Sequence, residues 1–140
     1  MNVKASAESV LKLILIASLV STAIHFTDNY RFIEDYPQPA WIMAPSIYQS
    51  WIILTIIGVI GYWFYRLRKF WFAYLCLGIY SLTGLASPGH YLYGSWSQFS
   101  FKMHLFIWTD AITSSAVLGF VVWSLFFLRE WKLTEQSTIA

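Results

Sequence analysis

Four long apolar stretches separated by short connections are the feature that most constrains the fold of this chain. They lie at about residues 10–29, 46–66, 69–88 and 104–128. Each is close to the roughly 20 residues that an α-helix needs to cross about 30 Å of hydrocarbon. All four prolines fall at or beyond the ends of these stretches, where the missing N–H costs least. The sequence therefore predicts an all-α, four-helix transmembrane bundle that forms a single integral membrane domain over residues 1–140.

The composition excludes an ordinary soluble domain. Hydrophobic residues make up 58% of the chain and charged residues 11%, compared with about 45–50% and about 25% in typical soluble domains. So few charged side chains cannot cover a globular surface, so the excess apolar surface must face lipid. The net charge of +2 is too small to form the basic stripe that neutralises nucleic-acid phosphates. We therefore expect the lipid bilayer as a partner and no nucleic acid.

The first stretch shares some features with a cleavable secretory signal. Lys4 precedes an apolar core, and the small residues Ser21 and Ala23 follow it. The apolar run nevertheless continues into Ile24 and Phe26, beyond the point where a signal would be cut. We therefore expect a retained helix.

Basic residues lie mainly on one side of the predicted membrane. Only Arg31 and Lys102 fall on the other side. Seven fall on the first side, namely Lys4, Lys12, Arg66, Arg68, Lys69, Arg129 and Lys132. Cytoplasmic flanks carry the excess of Lys and Arg, which predicts cytoplasmic termini and an outer location for residues 30–45 and 89–103. The pattern is typical of bacterial-type inner membranes and ER-like membranes alike.

The three histidines all lie near the predicted outer side. His25 is close to the end of the first stretch, His90 follows the third, and His104 begins the fourth. With a rise of about 1.5 Å per residue, His25 lies roughly 6 Å below the end of its helix. Asp110 lies roughly 9 Å beyond His104 along the fourth helix. We therefore expect His25 and Asp110 at a similar depth, within reach of each other.

Helical periodicity places polar residues of the first stretch on one stripe. Ser18, Thr22, His25 and either Asp28 or Asn29 recur at spacings of three and four, which aligns them on one face. We expect this face to point into the bundle.

The fourth stretch distributes its polar residues over two neighbouring stripes. His104, Trp108 and Ser115 share one stripe, whereas Asp110 lies on the next. His104 and Asp110 are six residues apart, or about 120° around the helix. They cannot pair on one face, although they can flank one cavity.

An acid within a span costs about 2.5–3.5 kcal/mol, which is why such residues face the bundle interior and are functional by default. The main hypothesis is an outward-opening His/Asp pocket in the outer half of the bundle. It would bind a lipid or another lipophilic small molecule, with acid–base chemistry as an extension; whether the protein is an enzyme stays open. Candidate catalytic residues are His25, Asp110 and Asp28, and candidate pocket residues are Trp108, His104, Ser115 and Thr22. The structural alternative is a simple bridge between Asp110 and His25.

A divalent metal is the alternative ligand of the same residues. Imidazole and carboxylate groups suit Zn²⁺ or Cu²⁺, and the candidate ligands for binding or transport are His25, His90, His104 and Asp110. Nearby Met43 and Met103 would shift the preference toward Cu(I). The spacing matches no HExxH motif and no cysteine pair.

Two further hypotheses are a haem site and an assembly subunit. Haem held by His25 and His104 requires both imidazoles at one depth, and the unequal depths estimated above count against it. An assembly subunit without a site of its own would tolerate changes at His25 and Asp110. Association with further copies of the chain in the membrane plane is left open.

Overall fold

The computed structural model describes the backbone of residues 3–132 and the side chains of residues 6–132. Within this part of the chain the structure is helical and has no β-strand. The four main helices are α1 (Val3–Arg31), α2 (Ala44–Arg66), α3 (Phe70–Leu85) and α4 (Phe101–Trp123). The prediction of an all-α fold built on four long apolar helices is therefore confirmed.

Two of the helices continue beyond their regular α-helical parts. After α3 the chain forms a 3₁₀ helix over Ser87–Leu92, and after α4 it forms a π-helix over Ser124–Leu128. A second 3₁₀ helix, Trp96–Gln98, precedes α4. With these continuations, the four segments that are long and apolar enough to cross a membrane are Ser6–Arg31, Ala44–Arg66, Phe70–Leu92 and Phe101–Leu128. They agree with the four predicted stretches, apart from a few residues at their ends.

Consecutive helices run in opposite directions around the bundle. Each of the four packs against the next, and α4 also packs against α1. We call the end with the connections 32–43 and 86–100 the histidine end, and the end with the turn 67–69 the basic end. This topology brings the last turns of α1 and α3 beside the first turns of α2 and α4.

Apolar side chains fill the bundle from its middle to the basic end. Leu11, Leu15, Leu77, Val117 and Phe120 belong to this core and are all at least 96% buried. A smaller apolar cluster at the histidine end contains Tyr36, Phe99, Met103 and Ile107. Between the two clusters the bundle interior is polar.

The outer faces of the helices are also apolar. Leu13, Ile53, Leu75 and Ile112 are each between 58% and 70% exposed. Soluble monomers rarely expose contiguous apolar surface of this kind, whereas helices that satisfy their own backbone hydrogen bonds suit a hydrocarbon environment. The molecule is therefore compatible with a multipass membrane protein.

Candidate functional site

A hydrogen bond between α1 and α4 lies at the centre of the polar interior. His25 Nδ1 is 2.9 Å from Asp110 Oδ2, and the two residues are 2% and 0% exposed. Carboxylate oxygens accept hydrogen bonds, so His25 Nδ1 carries the proton of this hydrogen bond and Asp110 Oδ2 accepts it. The predicted proximity of these two residues is confirmed.

Ser87, from the segment that follows α3, is the third member of this buried group. Its Oγ donates to Asp110 Oδ2 at 2.7 Å and lies 3.2 Å from His25 Nδ1. Ser87 is the first residue of the 3₁₀ helix after α3 and is itself buried. One carboxylate oxygen therefore receives donors from two other parts of the fold. The other oxygen, Asp110 Oδ1, has no hydrogen-bond partner among the described residues.

Gly84 allows α3 to approach α4 at this point. A Cβ atom added at Gly84 would lie 2.5 Å from the Asp110 carbonyl oxygen and 2.9 Å from Asp110 Oδ1, and it would overlap the Ser114 hydroxyl. Small residues permit this kind of close backbone approach between helices in membranes. The position of Asp110 beside Ser87 therefore depends on the missing side chain of Gly84.

A hydroxyl network lies one to two turns deeper in the bundle. Tyr80 donates to Ser18 Oγ at 3.0 Å, and Ser18 Oγ lies 3.3 Å from Ser114 Oγ. On the same face of α1, Thr22 accepts a hydrogen bond from the Trp51 indole at 3.3 Å. The inward stripe predicted for α1 is confirmed, because four of its members are at least 92% buried: Ser18, Thr22, His25 and Asn29.

A cavity of about 270 Å³ opens between α1, α2 and the end of α3. We call it the histidine-end cavity. Apolar side chains such as Phe26, Ile42 and Ile47 form part of its wall, and His25, Asn29, Gln38 and His90 supply polar groups. This combination of apolar walls with a few convergent polar groups is typical of small-molecule sites.

The protonation of His90 follows from its two contacts. His90 Nδ1 lies 2.9 Å from the Pro37 carbonyl oxygen, which can only accept, so this nitrogen carries a proton. His90 Nε2 lies 3.4 Å from Asn29 Nδ2, which can only donate. Burial disfavours the charged imidazole, so Nε2 carries no second proton and can only accept. These contacts also fix the orientation of the Asn29 amide.

Three buried polar atoms of the cavity residues have no partner among the described residues: His25 Nε2, Asn29 Oδ1 and Gln38 Oε1. Leaving a buried polar atom unpaired costs about 1–3 kcal/mol. Native proteins therefore contain few such atoms, and those that persist are often functional. Their concentration around one cavity identifies it as the candidate binding site.

Asp28 lies in a different environment from the His25–Asp110 pair. It accepts hydrogen bonds from Tyr36 OH at 2.8 Å and from Lys102 Nζ at 2.7 Å. Burial, followed by the hydrogen bond to Asp28, raises the pKa of Tyr36 far above its usual range. Asp28 therefore fastens the 32–43 connection to α1 and α4. A catalytic role for it stays a prediction.

None of the four predicted pocket residues lines the histidine-end cavity. Thr22 is fully buried in the bundle, where it accepts the hydrogen bond from Trp51. His104 hydrogen-bonds through Nδ1 to Tyr91 OH at 2.8 Å and stacks on Trp96. Trp108 is 45% exposed, and Ser115 donates to the Ala111 carbonyl oxygen within its own helix at 2.7 Å. His104, Trp108 and Ser115 lie on the stripe of α4 that does not face the cavity.

The predicted metal ligands do not come together at one point either. The rings of His25 and His90 are 5.7 Å apart, but both nitrogens of His90 already have partners, and His104 belongs to the Tyr91–Trp96 cluster. Among residues 3–132, no group of three or more His, Cys, Asp or Glu side chains could hold a metal ion. The metal and haem hypotheses thus receive no support from this arrangement.

Sequence reasoning did not identify a second polar network at the basic end. Glu130 is 7% exposed and accepts hydrogen bonds at 2.6 Å from both Tyr65 OH and Ser124 Oγ. Tyr74 OH lies 2.8 Å from Ser124 Oγ. No local pattern marks Glu130 as buried, because it stands beside Arg129 and reads as a solvated charge. Ser87 was missed for a similar reason, since "SPG" reads as a turn.

The His25–Asp110 pair has a defined chemical capacity. A carboxylate that accepts from one imidazole nitrogen fixes the tautomer and leaves the lone pair on the other nitrogen. Such a histidine can accept a hydrogen bond or a proton from a bound molecule. Comparison of the chain with protein-family models, with curated proteins and with solved structures found no match.

Proposed function

We propose that this multipass membrane protein binds the polar end of a lipophilic small molecule or lipid in the histidine-end cavity. One observation carries the proposal: His25 is held by Asp110 through Nδ1, while its Nε2 has no partner among the described residues and the residue lines the cavity. A buried polar pair that served only to join α1 and α4 would not require an unpaired Nε2 atom beside a cavity.

The orientation of the chain adds a direction to this proposal. The excess of basic residues at the basic end supports cytoplasmic termini, and the cavity then opens toward the outer side of the membrane. A lipophilic ligand would place its polar end among His25, Asn29 and Gln38 and its apolar part against Phe26 and Ile47.

Acid–base chemistry on the ligand is the enzymatic extension of the same proposal. His25 Nε2 would take a proton from the ligand, and Asp110 would stabilise the imidazolium that forms. Ser87 would act as a positioning residue because it donates to the same carboxylate oxygen.

The test is mass spectrometry of lipophilic molecules that co-purify with the protein, prepared without a histidine tag. We expect a stoichiometric lipophile in the wild type and its loss in Ser50→Trp, because Ser50 lines the cavity and is exposed, so the larger ring fills the space. Ser115→Ala is the control, because Ser115 does not line the cavity.

Identical lipid content in the wild type, Ser50→Trp and Ser115→Ala would contradict the proposal. Elemental analysis of the same samples tests the metal alternative: a stoichiometric metal that is lost in His25→Ala would favour it. Absence of both a lipophile and a metal, with unchanged stability in Asp110→Asn, would favour the assembly role.

A further inference from the structure

We infer that the ligand of the histidine-end cavity carries a hydrogen-bond donor, a hydroxyl or an amine, at its polar end. The inference rests on the proposed function and specifies the chemical class of the ligand. It follows from the kind of hydrogen bond that each group in the cavity wall still lacks.

The first vacant group, that is, a buried polar atom without a hydrogen-bond partner among the described residues, is His25 Nε2. Because Nδ1 carries the proton that is donated to Asp110, the neutral ring has its lone pair on Nε2. A second proton would create a buried, charged N–H for which the described residues supply no acceptor, and an unpaired charged donor costs more than an unpaired neutral acceptor. Nε2 is therefore an acceptor.

The second vacant group is Asn29 Oδ1, and its assignment is independent of His25. The Pro37 carbonyl fixes the proton of His90 on Nδ1, so His90 Nε2 must face the amide nitrogen of Asn29. The amide oxygen is the atom left without a partner among the described residues. Gln38 Oε1, the third vacant group, is likewise an acceptor.

Three of the four hydroxyl groups in the same wall already donate within the protein, and the fourth, Ser50, is exposed. Three hydroxyl groups that line the cavity donate to other protein atoms: Ser46 to the Met43 carbonyl at 2.7 Å, Thr83 to the Tyr80 carbonyl at 2.6 Å, and Ser87 to Asp110 at 2.7 Å. No Lys or Arg side chain is among the described residues that line the cavity. The Trp41 indole lies at the rim, where the residue is 76% exposed.

The three vacant acceptors and the occupied hydroxyl donors together select one class of polar group. A hydroxyl or an amine satisfies an acceptor that otherwise stays unpaired, whereas an ether, ester or ketone leaves all three unpaired. A phosphate brings negative charge into a wall that has no cation. The volume of about 270 Å³ is about nine times the roughly 30 Å³ of one water molecule, so it holds a polar end and a short apolar chain.

The experiment compares three probes with the same decyl chain: decanol, decylamine and decyl methyl ether. Binding is measured for the full chain in phosphatidylcholine nanodiscs, by quenching of tryptophan fluorescence and by the shift of the thermal unfolding midpoint. We expect decanol and decylamine to bind at least about tenfold more tightly than the ether, because only they satisfy a buried acceptor.

A second variant keeps the test informative if changes at His25 impair folding. Gln38 lies in the 32–43 connection rather than in a helix, and Gln38→Leu removes one vacant acceptor. We expect it to weaken decanol binding and to leave ether binding unchanged. Equal affinities of the three probes for the wild type would overturn the inference and leave the proposed function standing. If none of the probes binds, both are overturned.

Discussion

At the scale of single residues, His25 and Asp110 depend on each other. Each is buried at a depth where an unpaired polar group is expensive, and each supplies the main partner of the other. Ser87 adds a second donor to the same carboxylate oxygen. Truncation of one member therefore affects the remaining members as well.

Asp110→Ala should destabilise the protein more than any single hydrogen bond would suggest. It removes the acceptor that the His25 Nδ1–H and the Ser87 hydroxyl share, so at least one buried donor loses its partner, at a cost of about 1–3 kcal/mol. Asp110→Asn keeps an acceptor oxygen in place and should cost less. The measurement is the thermal unfolding midpoint in detergent, with Ser115→Ala as a control that should remain within about 0.5 kcal/mol of the wild type.

A double-mutant cycle gives the coupling between the two residues. His25→Ala together with Asp110→Ala should cost less than the sum of the two single changes, by about 0.5–3 kcal/mol. Strictly additive effects would mean that the contact of 2.9 Å contributes nothing to stability.

Tyr36 should make stability depend on pH in the alkaline range. Its pKa in the folded protein is raised above the ordinary value of 10.0, chiefly by burial and then by Asp28. When the pH rises above 10.0, the unfolded chain loses this proton and the folded protein keeps it, so the unfolded state is favoured. The stability that Tyr36 provides is therefore fully present below that pH and declines above it.

The comparison of the wild type with Tyr36→Phe isolates this effect from other titrating groups. At neutral pH the wild type should unfold at the higher temperature, because it retains the hydrogen bond to Asp28. The difference in unfolding midpoint should shrink as the pH exceeds 10.0. A difference that grows with pH would be inconsistent with a buried, neutral tyrosine.

At the scale of helices, the contact between α3 and α4 depends on one glycine. Gly84→Ala places a methyl group against Ser114 and Asp110 and should destabilise the bundle by about 1–3 kcal/mol. The same change at Gly78, on the same helix, meets no atom within 4 Å and should be neutral or stabilising by up to about 1 kcal/mol. Thermal unfolding of the two variants tests this difference. Equal midpoints for both would show that α3 does not approach α4 as closely as described.

At the scale of the whole molecule, buried polar networks lie on both sides of an apolar layer. The hydroxyl network of Tyr80, Ser18 and Ser114 extends the polar region of the histidine end inward. The His25–Asp110 group lies at the histidine end and the Glu130–Tyr65–Ser124 group at the basic end. Between them, Leu77 and Val117 are fully buried and carry no polar side-chain atom. This arrangement favours a site that is entered from one end over a polar path through the bundle.

The predicted orientation can be tested with single cysteines in a Cys76→Ser background. Ser97→Cys lies at the histidine end and Leu67→Cys at the basic end, and both positions are exposed. If the basic end is cytoplasmic, a membrane-impermeant maleimide should label Ser97→Cys on intact cells. It should label Leu67→Cys only after permeabilisation. The reverse pattern would place the cavity on the cytoplasmic side.

The amino-acid sequence by itself determined the four helices, their approximate ends and the inward stripe of α1. These features depend on hydrophobicity and helical periodicity, which are local properties of the chain. It also predicted the contact between His25 and Asp110, because depth in a membrane bundle follows from position along each helix.

Only the tertiary structure decided which other groups join that pair. Ser87, Gln38 and His90 reach the site through the path of the connections and the close approach at Gly84. His104, Trp108 and Ser115 fall outside the cavity, because the rotation of α4 about its axis is set by packing against its neighbours. Helix rotation and loop paths depend on contacts between residues far apart in the chain, and no local pattern encodes them.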